Sequence, residues 1–160
     1  MTQRHARIAV SGAADLARTR DRVLALIADW GVTLEAEQHG AIKLVTSELV
    51  TNAVTHAAGP VTVALSLDDR LLLAVYDGSQ VLPARLEADY AAESGRGLLL
   101  VDAFASRSGW DRMPEGKKVW AEWDVVLPTE AVSVRTRAAT SPCRRLHVLP
   151  KGVALVGAVQ

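Results

Sequence analysis

The stretch that most constrains the fold covers residues 61–76, whose pattern predicts two strands joined by a tight turn. Apolar residues alternate with smaller or polar ones over its first half, at Val61, Val63, Leu65 and Leu67. Asp68 and Asp69 form the turn, and a nearly continuous apolar run follows at 71–76. Such a run predicts a central strand that is buried on both faces. A sheet with a buried face has to pack against another layer, so we expect a layered domain.

Helices are predicted on the N-terminal side of this hairpin. A first helix is expected at 14–30, where apolar residues keep roughly helical spacing, and Gly31 suits its C-terminus because glycine tolerates a positive φ. Thr33 is the expected N-cap of a second helix that runs to about residue 57, where Gly59 and Pro60 stop it. Residues 7–10 are expected to form a short first strand.

The rest of the pattern completes an α/β (α+β) two-layer sandwich. We expect a loop at 80–94, a third helix at 98–106 and a closing hairpin at 109–113 and 118–126. The order of elements lacks regular βαβ alternation, which favours a mixed, mostly antiparallel sheet with helices on one face. The domain is expected to span 6–127. The change in composition after Pro128 predicts that the extension 128–160 is largely flexible, although its last apolar stretch, HVLPKGVALVGAV, is able to form a strand.

Composition excludes several classes of function. Lys plus Arg and Asp plus Glu balance at 18 each, so no overall basic field argues for direct binding to nucleic acid. Cys143 is the single cysteine, which excludes an internal disulfide and a zinc site made of cysteines alone. The longest apolar runs fall short of the roughly 20 residues that span a bilayer, and no secretory signal is visible. We therefore expect a cytoplasmic protein with no membrane segment.

The second predicted helix carries a polar row in the sequence SELVTNAVTHA. Glu48, Asn52 and His56 lie four residues apart, so they share one helix face at steps of about 6 Å. A solvated face is the simpler interpretation of such a row. However, the neighbouring Ser and Thr are mediocre helix formers for an exposed face, and an asparagine oxygen one turn from a carboxylate suits Mg²⁺ beside a base. Both interpretations stay open on this feature alone.

Two further motifs follow the helix. Asp77 comes directly after the apolar strand, where a carboxylate is able to accept a hydrogen bond from the exocyclic amine of a base, although Asp before Gly78 is also common in plain turns. Gly95, Arg96 and Gly97 open the third helix, so free backbone N–H groups and the helix end suit a phosphate. The motif lacks the third glycine of the dinucleotide fingerprint and the GK[ST] of a Walker loop.

Taken in this order, the motifs resemble a known family. The chain looks like the GHKL, or Bergerat, ATP-binding fold of gyrase, histidine kinases and MutL. Within that fold it is most similar to the small anti-sigma regulatory factors, of actinobacterial type, that act as serine/threonine kinases. ELVTNAVTHA is similar to the N box, VYDGS to the D-x-G box and GRGLLLV to the second glycine box, while WD…GKKVW…W resembles the closing hairpin.

The resemblance implies roles for individual residues. Asn52 would hold Mg²⁺ against the phosphates of ATP, and Glu48 would be the general base. Asp77, with Gly78 beside it, would accept from the adenine amine. The amides of the glycine box would bind phosphates, and its residues here are Gly95, Arg96, Gly97 and Leu98. The sequence departs from the wider family at Ser79, where glycine is frequent, and in a short segment between the two boxes that is poor in glycine.

The resemblance also implies an activity and partners. We expect an ATP-dependent serine/threonine kinase that phosphorylates a STAS-type anti-anti-sigma protein and sequesters a sigma factor. Relatives often pair, so a homodimer is among the expected assemblies. One alternative is a non-catalytic nucleotide-binding module that acts by sequestration only. Another is an α/β domain without a ligand that only docks partners. The four histidines show no metal-ligand spacing, and His56 is expected to be a helix-end residue.

Overall fold

The computed structural model describes residues 3–57, 59–81 and 96–127. Within these ranges, a five-stranded sheet in the order β1-β2-β3-β5-β4 is covered on one face by helices. The strands are β1 Arg4–Val10, β2 Val61–Leu67, β3 Leu71–Asp77, β4 Arg107–Met113 and β5 Gly116–Trp123. A 3₁₀ turn at Ala13–Asp15 leads into α1 Leu16–Asp29, and the other helices are α2 Ala36–His56 and α3 Arg96–Phe104.

The predicted two-layer sandwich is confirmed, and every strand pairing in the described part of the chain is antiparallel. The core lies between the helices and one face of the sheet. It contains the inward residues of α1, α2 and the three central strands, among them Ile27, Ile42, Val45, Leu65, Leu73 and Val75. No helix in the described ranges is both long enough and apolar enough to cross a bilayer.

The β2–β3 hairpin forms where the sequence predicts it, but β3 is not fully buried on both faces. Its inward residues Leu71, Leu73 and Val75 are almost completely buried. On the outward face only Ala74 is buried, whereas Leu72 and Tyr76 are half-buried. The expectation of burial on both faces is therefore wrong at two of the three outward positions, Leu72 and Tyr76. The helices cover one face of the sheet, and the long apolar side chains on the other face keep part of their contact with solvent.

The start of α2 corrects the predicted N-cap. The helix begins at Ala36 and its N-cap is Glu35, whose N–H donates to Gln38 Oε1 at 3.3 Å in a capping box. Thr33 instead forms an isolated β-bridge with Val126. This bridge holds Thr33 in the extended conformation, so the helix has to start after it.

The end of α1 agrees with the prediction for Gly31, which has a φ of 76°. Gly31 N–H donates to Ala28 O at 2.8 Å and Val32 N–H donates to Ile27 O at 3.2 Å. These two bonds form a Schellman motif, in which Val32 and Ile27 are both buried. The chain therefore turns sharply from α1 towards α2.

Other boundaries differ from the predictions by a few residues. Helix α3 begins and ends two residues earlier than predicted, because Arg96 and Gly97 are already helical. Strand β5 ends at Trp123 rather than continuing to Val126. The predicted loop at 80–94 falls mostly outside the described residues, as does the predicted extension 128–160.

Candidate functional site

The polar row of α2 divides between two environments. Glu48 and Asn52 are half-buried, whereas His56 is exposed and is the last residue of the helix. Leu49, Val50 and Ala53 are buried on the sheet-facing side of the same helix and fix its rotation. The apolar contacts thus leave Glu48 and Asn52 beside the core, while His56 lies at the end of the helix.

The start of α3 lies directly on Glu48 and Asn52. A Cβ atom placed on Gly97 would be 2.8 Å from Glu48 Oε2 and 3.1 Å from Asn52 Nδ2. Both distances are shorter than ordinary van der Waals contacts, so the absence of a side chain at Gly97 permits this approach. The structure therefore brings together the row of α2 and the glycine motif, which are far apart in the sequence.

The remaining predicted residues of the glycine motif are described to different extents. Gly95 lies outside the described residues, and Arg96 is described only as the first backbone position of α3. Leu98 is half-buried and packs against the core. It also lines a cavity of about 450 Å³ between α3 and the β4–β5 hairpin, together with Val101, Trp110 and Val119 among others.

Asp77 is the last residue of β3 and points to the helix-facing side of the sheet, in phase with the buried Val75. Its Oδ1 accepts a hydrogen bond from Ser79 N–H at 2.8 Å, which shapes the turn that leaves the strand. Gly78 lies between them and is half-buried. The same oxygen, Oδ1, lies 3.1 Å from the ammonium nitrogen of Lys117.

Lys117 is a residue that the motif analysis missed. It lies opposite Asp77 in the β3–β5 pairing, and its side chain is only 10% exposed, against 2% for that of Asp77. The sequence did contain a signal. Alternation along β5 places Lys117 in phase with Val119, Ala121 and Trp123, all of which are buried. A cation on the inward side of a strand needs a partner, because burying an unpaired charge is costly.

Gly116 holds the start of β5 against the end of β3. Its φ is 145°, and a Cβ atom at this position would lie 1.9 Å from Asp77 O and 2.8 Å from Gly78 Cα. Only glycine fits this backbone conformation and this spacing. Gly116 thereby fixes the relative position of Asp77 and Lys117.

The contact of Gly97 with Glu48 and Asn52 lies at the same end of the sheet as the Asp77–Lys117 pair, and on the same face. The chain passes from the end of α2 to β2 through a short connection, and Thr62 near the start of β2 pairs with Tyr76 next to Asp77. The C-terminal half of α2 is therefore at the sheet end where Asp77 lies. Glu48 and Asn52 face α3, and Asp77 and Lys117 face the helix layer.

A second cavity, of about 670 Å³, is found at this end of the sheet. It is lined by Asp77 and Lys117, but also by Thr62 and Tyr76, whose positions alternate onto the face away from the helices. It therefore opens on the opposite side from Glu48 and Asn52. Among the described residues, no cluster of three or more His, Cys, Asp or Glu is arranged to hold a metal ion.

Comparisons with known proteins support the nucleotide-binding interpretation of the fold. The crystal structure of the RsbU and RsbW domains of a protein from Mycobacterium tuberculosis superposes with a TM-score of 0.55 at 20% sequence identity. The alignment covers 77% of this chain and 33% of that one, so this chain spans about a third of that protein's length. At this identity the similarity concerns the fold. A search of curated proteins found no match.

A family model gives the more specific result. The model, described as a histidine kinase-like ATPase domain, matches residues 11–123. That range contains α2 with Glu48 and Asn52, the Asp77–Lys117 pair and Gly97. The description of the family implies ATP as its ligand. Because the match spans more than half of the 160 residues, the chain belongs to the histidine kinase-like ATPase family.

Proposed function

We infer that this protein is an ATP-dependent serine/threonine protein kinase of the anti-sigma regulatory type. The observation that carries the proposal is the contact of Gly97 with Glu48 and Asn52. It joins a carboxylate, an amide and the first turn of a helix at one point. A base, a metal ligand and a phosphate-binding helix end are the groups that phosphoryl transfer needs in proximity.

The nucleotide would lie with its phosphates at Gly97 and its base at Asp77. Backbone N–H groups in the first turn of α3 have no partner within the helix, so they are available to phosphate oxygens. Asp77 is buried at the other side of the site, and its acceptor oxygens suit the exocyclic amine of adenine. Gly95 and Arg96 extend the phosphate-binding segment in this proposal, and Leu98 supports it from the core.

The residues at Gly97 fit a Mg²⁺ ion that is held chiefly by the nucleotide. Mg²⁺ usually takes one or two protein oxygens and otherwise phosphate and water. Asn52 offers one amide oxygen, since rotation of the amide about Cβ–Cγ exchanges the positions of Oδ1 and Nδ2. The lack of a side chain at Gly97 leaves this amide open towards the helix end. When bound, the ion would neutralise charge on the phosphates.

Glu48 would supply the base. Its carboxylate accepts the proton of an incoming serine or threonine hydroxyl while the hydroxyl oxygen bonds to the γ-phosphorus. The bond from the γ-phosphorus to the β–γ bridging oxygen breaks, and ADP leaves. A general base of this kind contributes about 10²–10⁴-fold to the rate. A module that only holds nucleotide would have no use for a carboxylate at this position.

The proposed partners follow from the resemblance to small anti-sigma factors and from the fold shared with a structure that contains an RsbW domain. The acceptor would be a serine or threonine of a STAS-type anti-anti-sigma protein. The sequestered protein would be a sigma factor, and a homodimer is among the expected assemblies. These assignments are proposals about the class of partner.

The test is phosphoryl transfer from labelled ATP, with Mg²⁺, to a candidate STAS protein. We expect Glu48→Ala to bind ATP normally and to lower the transfer rate by about 10²-fold or more. Asn52→Ala should remove the Mg²⁺-dependent part of ATP binding, and Asp77→Asn should weaken binding itself. Calorimetry with ATP measures binding separately from transfer.

Matched controls are available on the same elements. Glu37 is an exposed glutamate in the first turn of α2, and Asp69 is an exposed aspartate in the β2–β3 turn. Glu37→Ala and Asp69→Asn should change neither binding nor transfer. Intact ATP binding without any transfer would eliminate the kinase and leave a sequestering module. Unchanged binding in both Asn52→Ala and Asp77→Asn would eliminate the proposed site.

A further inference from the structure

Among the described residues, the buried pair of Asp77 and Lys117 has hydrogen-bonding positions that no protein group fills. Bringing a carboxylate and an ammonium out of water costs several kcal/mol per ion, and their attraction offsets this only when their other hydrogen-bonding positions are also filled. Here the ammonium nitrogen of Lys117 lies 3.1 Å from Asp77 Oδ1, and the side chains are 10% and 2% exposed. The hydrogen bonds of both groups therefore have to be counted.

The count leaves one acceptor oxygen on Asp77 and two N–H donors on Lys117. Both contacts to the carboxylate go to Oδ1, which interacts with Lys117 and with Ser79 N–H. An ammonium carries three N–H groups, of which this pair uses one. Among the described residues, Asp77 Oδ2 and the other N–H groups of Lys117 have no protein partner. The pair is therefore arranged to meet a ligand that presents a donor beside an acceptor.

The edge of adenine has this pattern. Its exocyclic N6 amine donates, and the ring nitrogen N1 next to it accepts. N1 lies on the side of the base remote from the ribose, so it reaches the innermost part of a site whose phosphates are bound near the surface. Lys117 occupies such an inner position, because it lies in phase with the buried core residues of β5.

We propose that Lys117 is a second base-reading residue, which donates a hydrogen bond to N1 of adenine while Asp77 Oδ2 accepts from N6. This inference rests on the proposed binding of ATP and adds the residue that selects the base. Guanine presents the two groups in the reverse order, with a carbonyl at position 6 and an N–H at position 1. Seated in the same way, guanine would place its carbonyl against the Asp77 carboxylate and its N–H against the Lys117 ammonium.

The test compares ATP with 1-deaza-ATP, in which a C–H replaces N1, by calorimetry on the full chain with Mg²⁺. Loss of a hydrogen bond to a charged group predicts that 1-deaza-ATP binds the wild-type protein about 10-fold more weakly than ATP. In Lys117→Met the two nucleotides should bind equally, within about twofold, because the donor that distinguishes them is gone. 7-deaza-ATP, which retains N1, should bind the wild-type protein like ATP, and GTP should bind more weakly.

Lys118→Met is the matched control. Lys118 is the next residue of β5, points to the opposite face and pairs with Asp111 at 2.5 Å. The Lys118→Met variant should retain the full preference for ATP over 1-deaza-ATP. If Lys117→Met does not fold, Lys117→Gln replaces it, since glutamine keeps a donor for Asp77 but is shorter than lysine. The preference should be lost in that variant too.

The outcomes separate this inference from the proposed function. Equal binding of ATP and 1-deaza-ATP to the wild-type protein would overturn the role of Lys117 alone. GTP binding as tightly as ATP would overturn base reading by Asp77 and Lys117 together. A Lys117→Met variant that weakens ATP and 1-deaza-ATP by the same factor would reduce Lys117 to a structural partner of Asp77. A wild-type protein that binds no adenine nucleotide would overturn the proposed function itself.

Discussion

At the scale of single residues, Gly97 has a role that neither its conformation nor its helix requires. It is helical, so its φ does not demand glycine, and an alanine would favour the helix. Glycine is required because the side-chain ends of Glu48 and Asn52 occupy the space that a Cβ atom would fill. A glycine in this position favours the site at the expense of the helix.

Gly97→Ala should therefore separate stability from function. Alanine gains up to about 1 kcal/mol of helix propensity, and displacing two flexible side chain ends costs about 0.5–1.5 kcal/mol each. Urea denaturation should show a change in the free energy of unfolding of about 1–2 kcal/mol at most. Displacement of Glu48 and Asn52 should lower phosphoryl transfer by about 10²-fold.

Gly40 provides the control for this substitution. It lies inside α2 with nothing within 4 Å of the position of a Cβ atom. Gly40→Ala should raise the free energy of unfolding by up to about 1 kcal/mol and leave transfer unchanged. Equal transfer rates in the two alanine variants would contradict the importance of the Gly97 contact.

The sequence predicts the residues of this site unequally. Glu48, Asn52 and Asp77 are identifiable because their order along the chain resembles a known family. Alternation along β5 places Lys117 on the buried side of the strand, but its partner Asp77 becomes known only from the pairing of β5 with β3. That pairing joins segments that are far apart in the sequence, so local patterns contain little information about it.

At the scale of elements, α3 is a short helix that is held at both ends. Its first turn rests on α2 through Gly97. At its other end, Trp123 Nε1 donates to Phe104 O at 2.8 Å, and Ser106 N–H donates to Glu122 O at 2.8 Å. Strand β5 thus anchors both the end of α3 and, through Lys117, the carboxylate of Asp77.

Trp123→Phe should loosen this anchor. Trp123 is 3% exposed, so the change removes a hydrogen bond and leaves a small cavity. We expect the free energy of unfolding to fall by about 1–3 kcal/mol, measured by urea denaturation. Trp110 is 41% exposed on the edge strand β4, and Trp110→Phe should change stability by less than about 0.5 kcal/mol. A similar effect of both substitutions would contradict the proposed anchoring.

The existence of each described α-helix and β-strand is predictable from local sequence patterns, whereas several boundaries are not. The N-cap of α2 is Glu35 and not the predicted Thr33, because Thr33 pairs with Val126. Val126 lies near the other end of the described domain. Helix α3 starts at Arg96, earlier than predicted, because Gly97 is compatible with the first turn of a helix that packs closely on α2. Tertiary contacts decide both positions.

At the scale of the whole molecule, the described residues extend beyond the range that matches the family model. Strand β1 pairs with β2 along its full length, from Arg4 opposite Leu67 to Val10 opposite Val61. At the other end, Gln38 Nε2 donates to Asp124 O at 2.9 Å and Arg70 Nε lies 2.6 Å from Asp124 Oδ1. These contacts link both margins of the domain to its centre.

A fragment of residues 11–123 should therefore be much less stable than one of residues 3–127. The shorter fragment loses β1, including the buried Val10, and all contacts of Asp124 and Val126. Burial of one such apolar side chain is worth about 1.5–3 kcal/mol, so a total loss of at least about 3 kcal/mol is expected in urea denaturation. Equal unfolding midpoints for the two fragments would contradict this.

The strand order has a consequence for when the site comes into existence during folding. The β2–β3 and β4–β5 hairpins are local, but the pairing of β3 with β5 has to wait until α3 and the whole second hairpin are present. Non-local pairing of this kind is slow, because the entropy cost of closing the loop comes before the stabilising contacts form. A nascent chain that ends before Lys117 lacks the ammonium group that lies beside Asp77 Oδ1. In the proposed site, recognition of the nucleotide base would therefore be a property of the completed sheet, and ligand binding would report that the last strand has been inserted.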